Sequence, residues 1–270
     1  MVSSAIVKIT AKTALKGKWL KACVGGMVPV CAFLAVILTS ETLWFAFGHM
    51  GSQILSAVLS FFLLLPLILG TLRFFWRFLC DADDNIVVIF HYFTSKKLYF
   101  KALHLSFAIV SRAVLFGLIL NIPALLLDLF SKPWIYDMTK MAIPLWASNL
   151  WALAVFFRVS AFVVLYFVML RYYLAPMLVV ADENIEVAEA IHMSAGIRKS
   201  TSLEFVLLTF SMLGWIILSL FFIPLVFTVP YFITVYLVHA RFAVAHYNKL
   251  IKGNSILAVP TYTPYGSDCI

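Results

Sequence analysis

The sequence predicts an all-α membrane protein: a polytopic helical bundle of about six transmembrane helices, with two interfacial amphipathic segments and both termini in the cytoplasm. Three observations predict it. Of the 270 residues, 64% are apolar and only 12% charged, whereas an ordinary globular domain carries roughly 25% charged residues. Apolar runs long enough to cross a hydrocarbon core, about 20 helical residues each, recur along the whole chain. The cationic excess, 20 Lys and Arg against 12 Asp and Glu, is confined almost entirely to one side of those runs. A mean hydropathy of +1.02 agrees.

The N-terminus is basic as far as Lys21, and the uncharged run Ala22–Ser40 that follows is nineteen residues long with no small-residue cleavage site. That length suits a span rather than a signal peptide. The first span is read as about 22–47, closed by Gly48-His49-Met50-Gly51-Ser52, whose glycines permit a tight turn. A second, about 53–79, ends in Arg73 and Arg77. The third is about 106–130. The fourth, about 144–173, exceeds one crossing, so it must tilt, kink or protrude. Phe205–Ala240 is uncharged over thirty-six residues, too many for one span. Pro224 and Pro230 divide it into a fifth span near 203–223 and a sixth near 229–248. The polar end, 253–270, reads as a mobile cytoplasmic tail.

Orientation follows from a rule not used to find the spans. With the N-terminus cytoplasmic, seventeen of the twenty Lys and Arg lie inside; only Lys132, Lys140 and the intramembrane Arg158 do not. The chain is therefore expected to be a multi-pass protein of the cell membrane. Its basic inner loops should attract anionic lipid headgroups, at about 1 kcal/mol for each Lys or Arg near the surface. The positive charge reports topology, and nucleic acid is not an expected partner.

Two polar inserts interrupt the apolar pattern. Asp81–Lys101 is too charged to cross and too apolar for a free loop, and reads as an interfacial segment with Tyr92, Phe93, Tyr99 and Phe100 at headgroup depth. In Ala181–Ser202, Ile185, Ala188, Ile191 and Ala195 recur at helical spacing, as in an amphipathic surface helix. The inserts echo each other. Leu72-Arg73-Phe74-Phe75 with Ala82-Asp83-Asp84-Asn85-Ile86 parallels Leu170-Arg171-Tyr172-Tyr173 with Ala181-Asp182-Glu183-Asn184-Ile185. Either a parallel two-span repeat or convergent membrane-exit sequences produces such an echo. Asp83 or Asp84, and Asp182 or Asn184, are placed to cap the helices that follow.

Polar groups inside a bilayer are costly, and each is a candidate site. Arg158 is the sharpest, about fifteen residues from either end of its expected span. Glu41 lies in the outer third of the first span, Asp128 at the outer end of the third, and Asn121 deeper on the same helix. Arg158 either pairs with Glu41 or Asp128, or touches a substrate or ion. The four cysteines, Cys23, Cys31, Cys80 and Cys269, show no C-x-x-C and read as apolar fillers or free thiols. His239 and His246 share a helix face but lack the further ligands zinc needs. No P-loop, G-x-S-x-G, G-x-G-x-x-G or H-E-x-x-H occurs, so no catalytic residue, metal or cofactor is indicated. Gly25, Gly26 and Gly214 are expected to permit close helix approach.

Several short motifs carry a resemblance across nearly the whole chain: Leu15-Lys16-Gly17-Lys18-Trp19, Gly70-Thr71-Leu72-Arg73-Phe74-Phe75, Ile89-Phe90-His91-Tyr92-Phe93 with Tyr99 and Ala102, Ala188, Ala190 and Ser194, Gly214-Trp215, Pro230-Tyr231 and Tyr247. In these the chain resembles a bacterial family of polytopic membrane proteins carried as a domain of unknown function, number 975. That family is distantly similar to the membrane domain of some glycerophosphodiester phosphodiesterases. The departure is at Ile223–Val229, where Pro224 and bulky residues stand in place of the family's glycines. The resemblance implies a helical integral membrane protein and no particular activity.

Three functional classes follow in order. A membrane scaffold or assembly partner, binding a membrane protein of unknown identity, needs only packing surfaces, aromatic interfaces and basic loops. A transporter subunit for a small molecule or lipid would need a polar path, to which Arg158, Glu41, Asp128 and Asn121 are the contributors. An intramembrane lipid-modifying enzyme would need a nucleophile or acid–base pair.

Overall fold

The structure, a computed structural model, describes residues 3–80, 85–131, 147–219 and 221–250. Among these there is no β-strand. The expected tail at 253–270 lies outside the described residues. The chain forms two compact units, Met1–Ser106 with Leu174–Ile270, and Phe107–Tyr173.

The first unit opens with a helix in a stretch that the sequence marks only as basic. Ser3 caps α1 (Ser4–Leu15) by accepting from the Ala5 amide at 3.3 Å. Gly17, at φ 80°, turns the chain a corner into the next helix. Helix α2 (Trp19–Leu59) consists of two arms joined across a kink at Gly48, which sits at φ 69° and ψ 172°, a conformation open essentially to glycine alone. The chain therefore reverses on Gly48, close to where the sequence places its turn. A π-helical turn, Ser60–Leu64, leads into α3 (Leu65–Leu79). Pro66 withdraws the amide that would have bonded the carbonyl of Phe62 one turn back. Tyr99 replaces it, donating its hydroxyl to that carbonyl at 3.1 Å.

α3 is the centre of the core. Phe74, Phe75 and Phe78 are buried and pack ring to ring at 5.3–6.2 Å. A 3-10 helix, Ile86–Phe90, capped by the Asn85 side chain on the Val87 amide at 3.1 Å, lies directly across it. A β-carbon at Gly70 would stand 1.8 Å from the Ile89 carbonyl oxygen, so the close contact requires glycine. Helix α4 (His91–Thr94) follows, then α5 (Lys96–Ser131). The expected headgroup depth for Tyr92 is corrected: its ring is fully buried, while Phe93 and Phe100 are exposed. The aromatic at position 92 is used to fill space beneath α3.

The second unit is a hairpin of α5, from Phe107 onward, and α6 (Ala147–Met169). Arg112 lies over the Tyr172 ring at 5.5 Å, Gly117 faces Leu165, and Asp128 meets Arg158. These three pairs fix an antiparallel register.

After α6 the chain rejoins the first unit through α7 (Ala175–Ala181), almost wholly buried, and continues as α8 (Val187–Ser211), α9 (Leu213–Leu218) and α10 (Phe222–Leu250). Asp182 accepts from the Asn184 amide at 2.8 Å, closing a turn rather than capping α8, whose N-cap is Glu186. The buried stripe of α8 is Val187, Ala190, Met193, Ser194 and Ile197; Ala188, expected on that face, is exposed. The helix starts two residues later than Ile185, which rotates the stripe. α8 and α9 run antiparallel to α10: Gly196 faces Tyr247, Phe205 packs on His239 at 5.3 Å and Trp215 on Tyr231 at 5.3 Å.

Among the described residues, five helices are long and apolar enough to cross a membrane: Trp19–Phe45, Gly48–Leu79, Lys96–Phe130, Asn149–Met169 and Pro224–Tyr247. The fifth expected span, 203–223, is not one of them. It is broken at Met212 and again at Ser219, leaving an apolar piece, Thr201–Ser211, that is too short. Cys23 and Cys31 are free thiols, whereas Cys80 is disulfide-bonded, against the reading of all four as fillers or free thiols.

Candidate functional site

Of the four polar residues singled out from the sequence, the second unit brings two together. Arg158 forms an ion pair with Asp128 through Nη2 and Oδ2. The surrounding seam explains the approach: Gly117, Asn121, Ala124 and Asp128 recur at helical spacing on α5, facing Ala154, Arg158, Ala161 and Leu165 on α6. Ala124, Ala154 and Ala161 are buried, and small residues of this kind let helices in lipid come close. Asn121 lies two turns from Asp128 on the same helix and spends its amide on the Gly117 carbonyl at 2.7 Å. Arg158 sits opposite the last turn of α5, near the middle of the Asn149–Met169 stretch. Glu41 belongs to the first unit, is exposed on α2 and is paired with no described residue.

A second cluster escaped sequence reasoning. Glu183, from the second polar insert, pairs with Arg73 of α3. A carboxylate only accepts, so His91 donates from Nε2 to the same Glu183 oxygen, at 3.0 Å. Lys101, in the second turn of α5, donates to the Glu183 backbone carbonyl at 2.5 Å. Four segments thus meet on one acidic residue. The Tyr92 hydroxyl and the Arg73 Nε are buried beside this cluster, each without a hydrogen bond of good geometry among the described residues. Burial pushes the Tyr92 phenol up to about 12; the neighbouring Arg73 charge pulls against that and the Glu183 charge adds to it. The signal in the sequence was the echo itself, whose arginine in one copy and acidic residue in the other turn out to be partners.

Most hydroxyls within the apolar helices are bonded locally. Thr71, Thr201, Thr209, Thr228 and Thr234 each donate to the carbonyl four residues back, at 2.7–3.1 Å. Gly25 lies against the Phe74 ring and Gly26 against Pro230, so both permit close approach, whereas Gly214 has nothing near it. Among the described residues no group of three or more His, Cys, Asp or Glu is placed to hold a metal ion.

These features define a multi-pass helical membrane protein whose charged groups, where they meet, are paired. The chain belongs to the family described as Protein of unknown function (DUF975), which it matches over residues 1–244. No curated protein and no solved structure matches it.

Proposed function

We propose that this protein is a non-enzymatic scaffold or assembly partner of the cell membrane, with both termini in the cytoplasm and its basic inner face on anionic lipid headgroups. One observation carries the reading: most of the polar groups described within its apolar helices are bonded to their own neighbours, Glu41 and the Tyr166 hydroxyl standing outside that pattern. The hydroxyls bond to their own helices, and Arg158 is neutralised by Asp128. A transport path needs polar groups that can exchange partners with a solute, and groups satisfied in this way do not offer that. What the apolar helices do offer is surface. Phe156, Phe162, Leu118 and Ile122 of the α5–α6 hairpin face outward, and a helix in lipid associates through such packing surfaces.

The test has two arms. Protein reconstituted in liposomes should leave the flux of small ions, amino acids and labelled phospholipid at the level of empty vesicles. A photoreactive residue encoded at position 118 or 162 in native membranes should give one discrete protein adduct, which an excess of unlabelled chain does not shift to a dimer. Saturable flux abolished by Arg158→Leu with folding retained would replace this reading with the transporter.

A further inference from the structure

The last hairpin, α8–α9 with α10, is long enough to be read as a pair of crossings, but its contacts place it elsewhere. Depth along α2 and α3 is set by two contacts: Lys18 lies over the Phe78 ring at 5.3 Å, and Gly25 touches Phe74. The first two turns of α2 are therefore level with the last two of α3, at the end rich in Lys and Arg. α10 meets this level twice. Phe227 packs on Trp19 with ring centroids 6.4 Å apart, and Pro230 lies against Gly26. Eleven residues after Pro230, Arg241 lies over the Trp76 ring at 5.0 Å and reaches the Leu79 carbonyl. Phe227 to Arg241 is about 21 Å of helix at 1.5 Å per residue, yet both ends touch the same depth of the α2–α3 pair. α10 runs across those helices and not along them.

Burial agrees. On α2, Ala22, Cys23, Gly25 and Gly26 are buried, and beyond them the residues up to Val36 are half-buried or exposed. From Thr228 to Val244 α10 is buried on most sides, including at His239 and Arg241, and it is the least apolar of the five long helices. A helix covered by protein to this extent offers lipid much less surface than α5 or α6 does. At the break after α8, the ammonium of Lys8 donates to the Ser211 carbonyl at 2.8 Å. This satisfies a helix-end acceptor and sets the break at a depth where the lysine-bearing α1 lies. Towards its tip the hairpin turns apolar and exposed, through Trp215, Ile217, Leu218 and Phe221.

We infer that α8–α10 is an in-plane hairpin of the cytoplasmic leaflet, its core packed beneath α2 and α3 and its tip buried among the acyl chains of that leaflet. The partner of this surface is lipid. Trp215, Ile217, Leu218 and Phe221 supply the apolar insertion, while Lys12 on the exposed side of α1 and Lys16 just after it meet the headgroups. The remaining four long helices are then the crossings, and both termini stay on one side.

Labelling of intact cells with a membrane-impermeant maleimide tests this, wild type giving the background. Met50→Cys, in the outer turn, should be labelled; Ser219→Cys, at the hairpin tip, should stay at background, and Leu218→Cys repeats the measurement should the first variant fold poorly. Labelling of position 219 or 218 to the extent of position 50 would overturn the inference and restore two full crossings. Vesicle flux, which tests the scaffold reading, is untouched by either result.

Discussion

Arg73 and Glu183 lie 110 positions apart in the sequence and form an ion pair that ties the end of α3 to the loop before α8. Both side chains are partly shielded, and Lys101 and His91 hold the same glutamate from two other segments. The pair acts as a clamp where the end of α3 meets the start of α5. Glu183→Gln is expected to cost about 1.5–3 kcal/mol, the range for a hydrogen bond to a charged group, read as a lower thermal midpoint in detergent. A double-mutant cycle with Arg73→Leu should return a coupling of about 0.5–3 kcal/mol. Additive losses would mean that the two side chains do not stabilise each other.

Gly70 separates two explanations for a glycine. A β-carbon there meets backbone, the Ile89 carbonyl, at 1.8 Å, and a 3-10 segment pinned by Asn85 cannot yield cheaply. Gly70→Ala should cost about 3 kcal/mol or more, at the upper end for overpacking. Gly48 has open space around it and is fixed only by its backbone angles, so Gly48→Ala should cost about 1–3 kcal/mol, the strain alone. Differential scanning fluorimetry of the two variants should rank them in that order.

The sequence was most readable where lipid imposes the rule. Turn glycine Gly48, the run from Ala22 and the long α5 and α6 all follow from length and apolarity. It was least readable at 203–223, where the helix breaks at Met212 and again at Ser219. Covered by protein and covered by lipid select the same side chains, so Val235 to Val244 reads alike in either setting. Arg158 and Asp128 were visible as costly groups, but their pairing needed the register set by Gly117 and Leu165. Tyr92 was misplaced because an aromatic in a polar insert suits the headgroup region as well as a core, and only its packing under α3 decides.

The Arg158–Asp128 pair sits in an otherwise apolar hairpin, and removing either side chain removes that ion pair. Arg158→Leu and Asp128→Leu should each lower the thermal midpoint in nanodiscs. The double variant should be more stable than either, since two leucines of similar volume need no compensation. A double variant that sums the two losses would show that the guanidinium has a partner beyond Asp128.

Tyr92 links burial to pH. Its phenol, pushed up to about 12 by desolvation, is kept neutral in the fold, while in the unfolded chain it ionises near its ordinary value of 10.0. Between those values the unfolded state loses a proton that the folded state keeps. The stability contributed is therefore complete below pH 10 and falls away as pH rises toward 12. Tyr92→Phe removes the titration and also a buried hydroxyl with no good partner, so at pH 7 the variant should match the wild type to within about 1 kcal/mol. Stability followed from pH 9 to 12 should decline less steeply in the variant. Parallel curves would mean that the Tyr92 phenol is reached by solvent and that the aromatic layer beneath α3 is looser than its packing indicates.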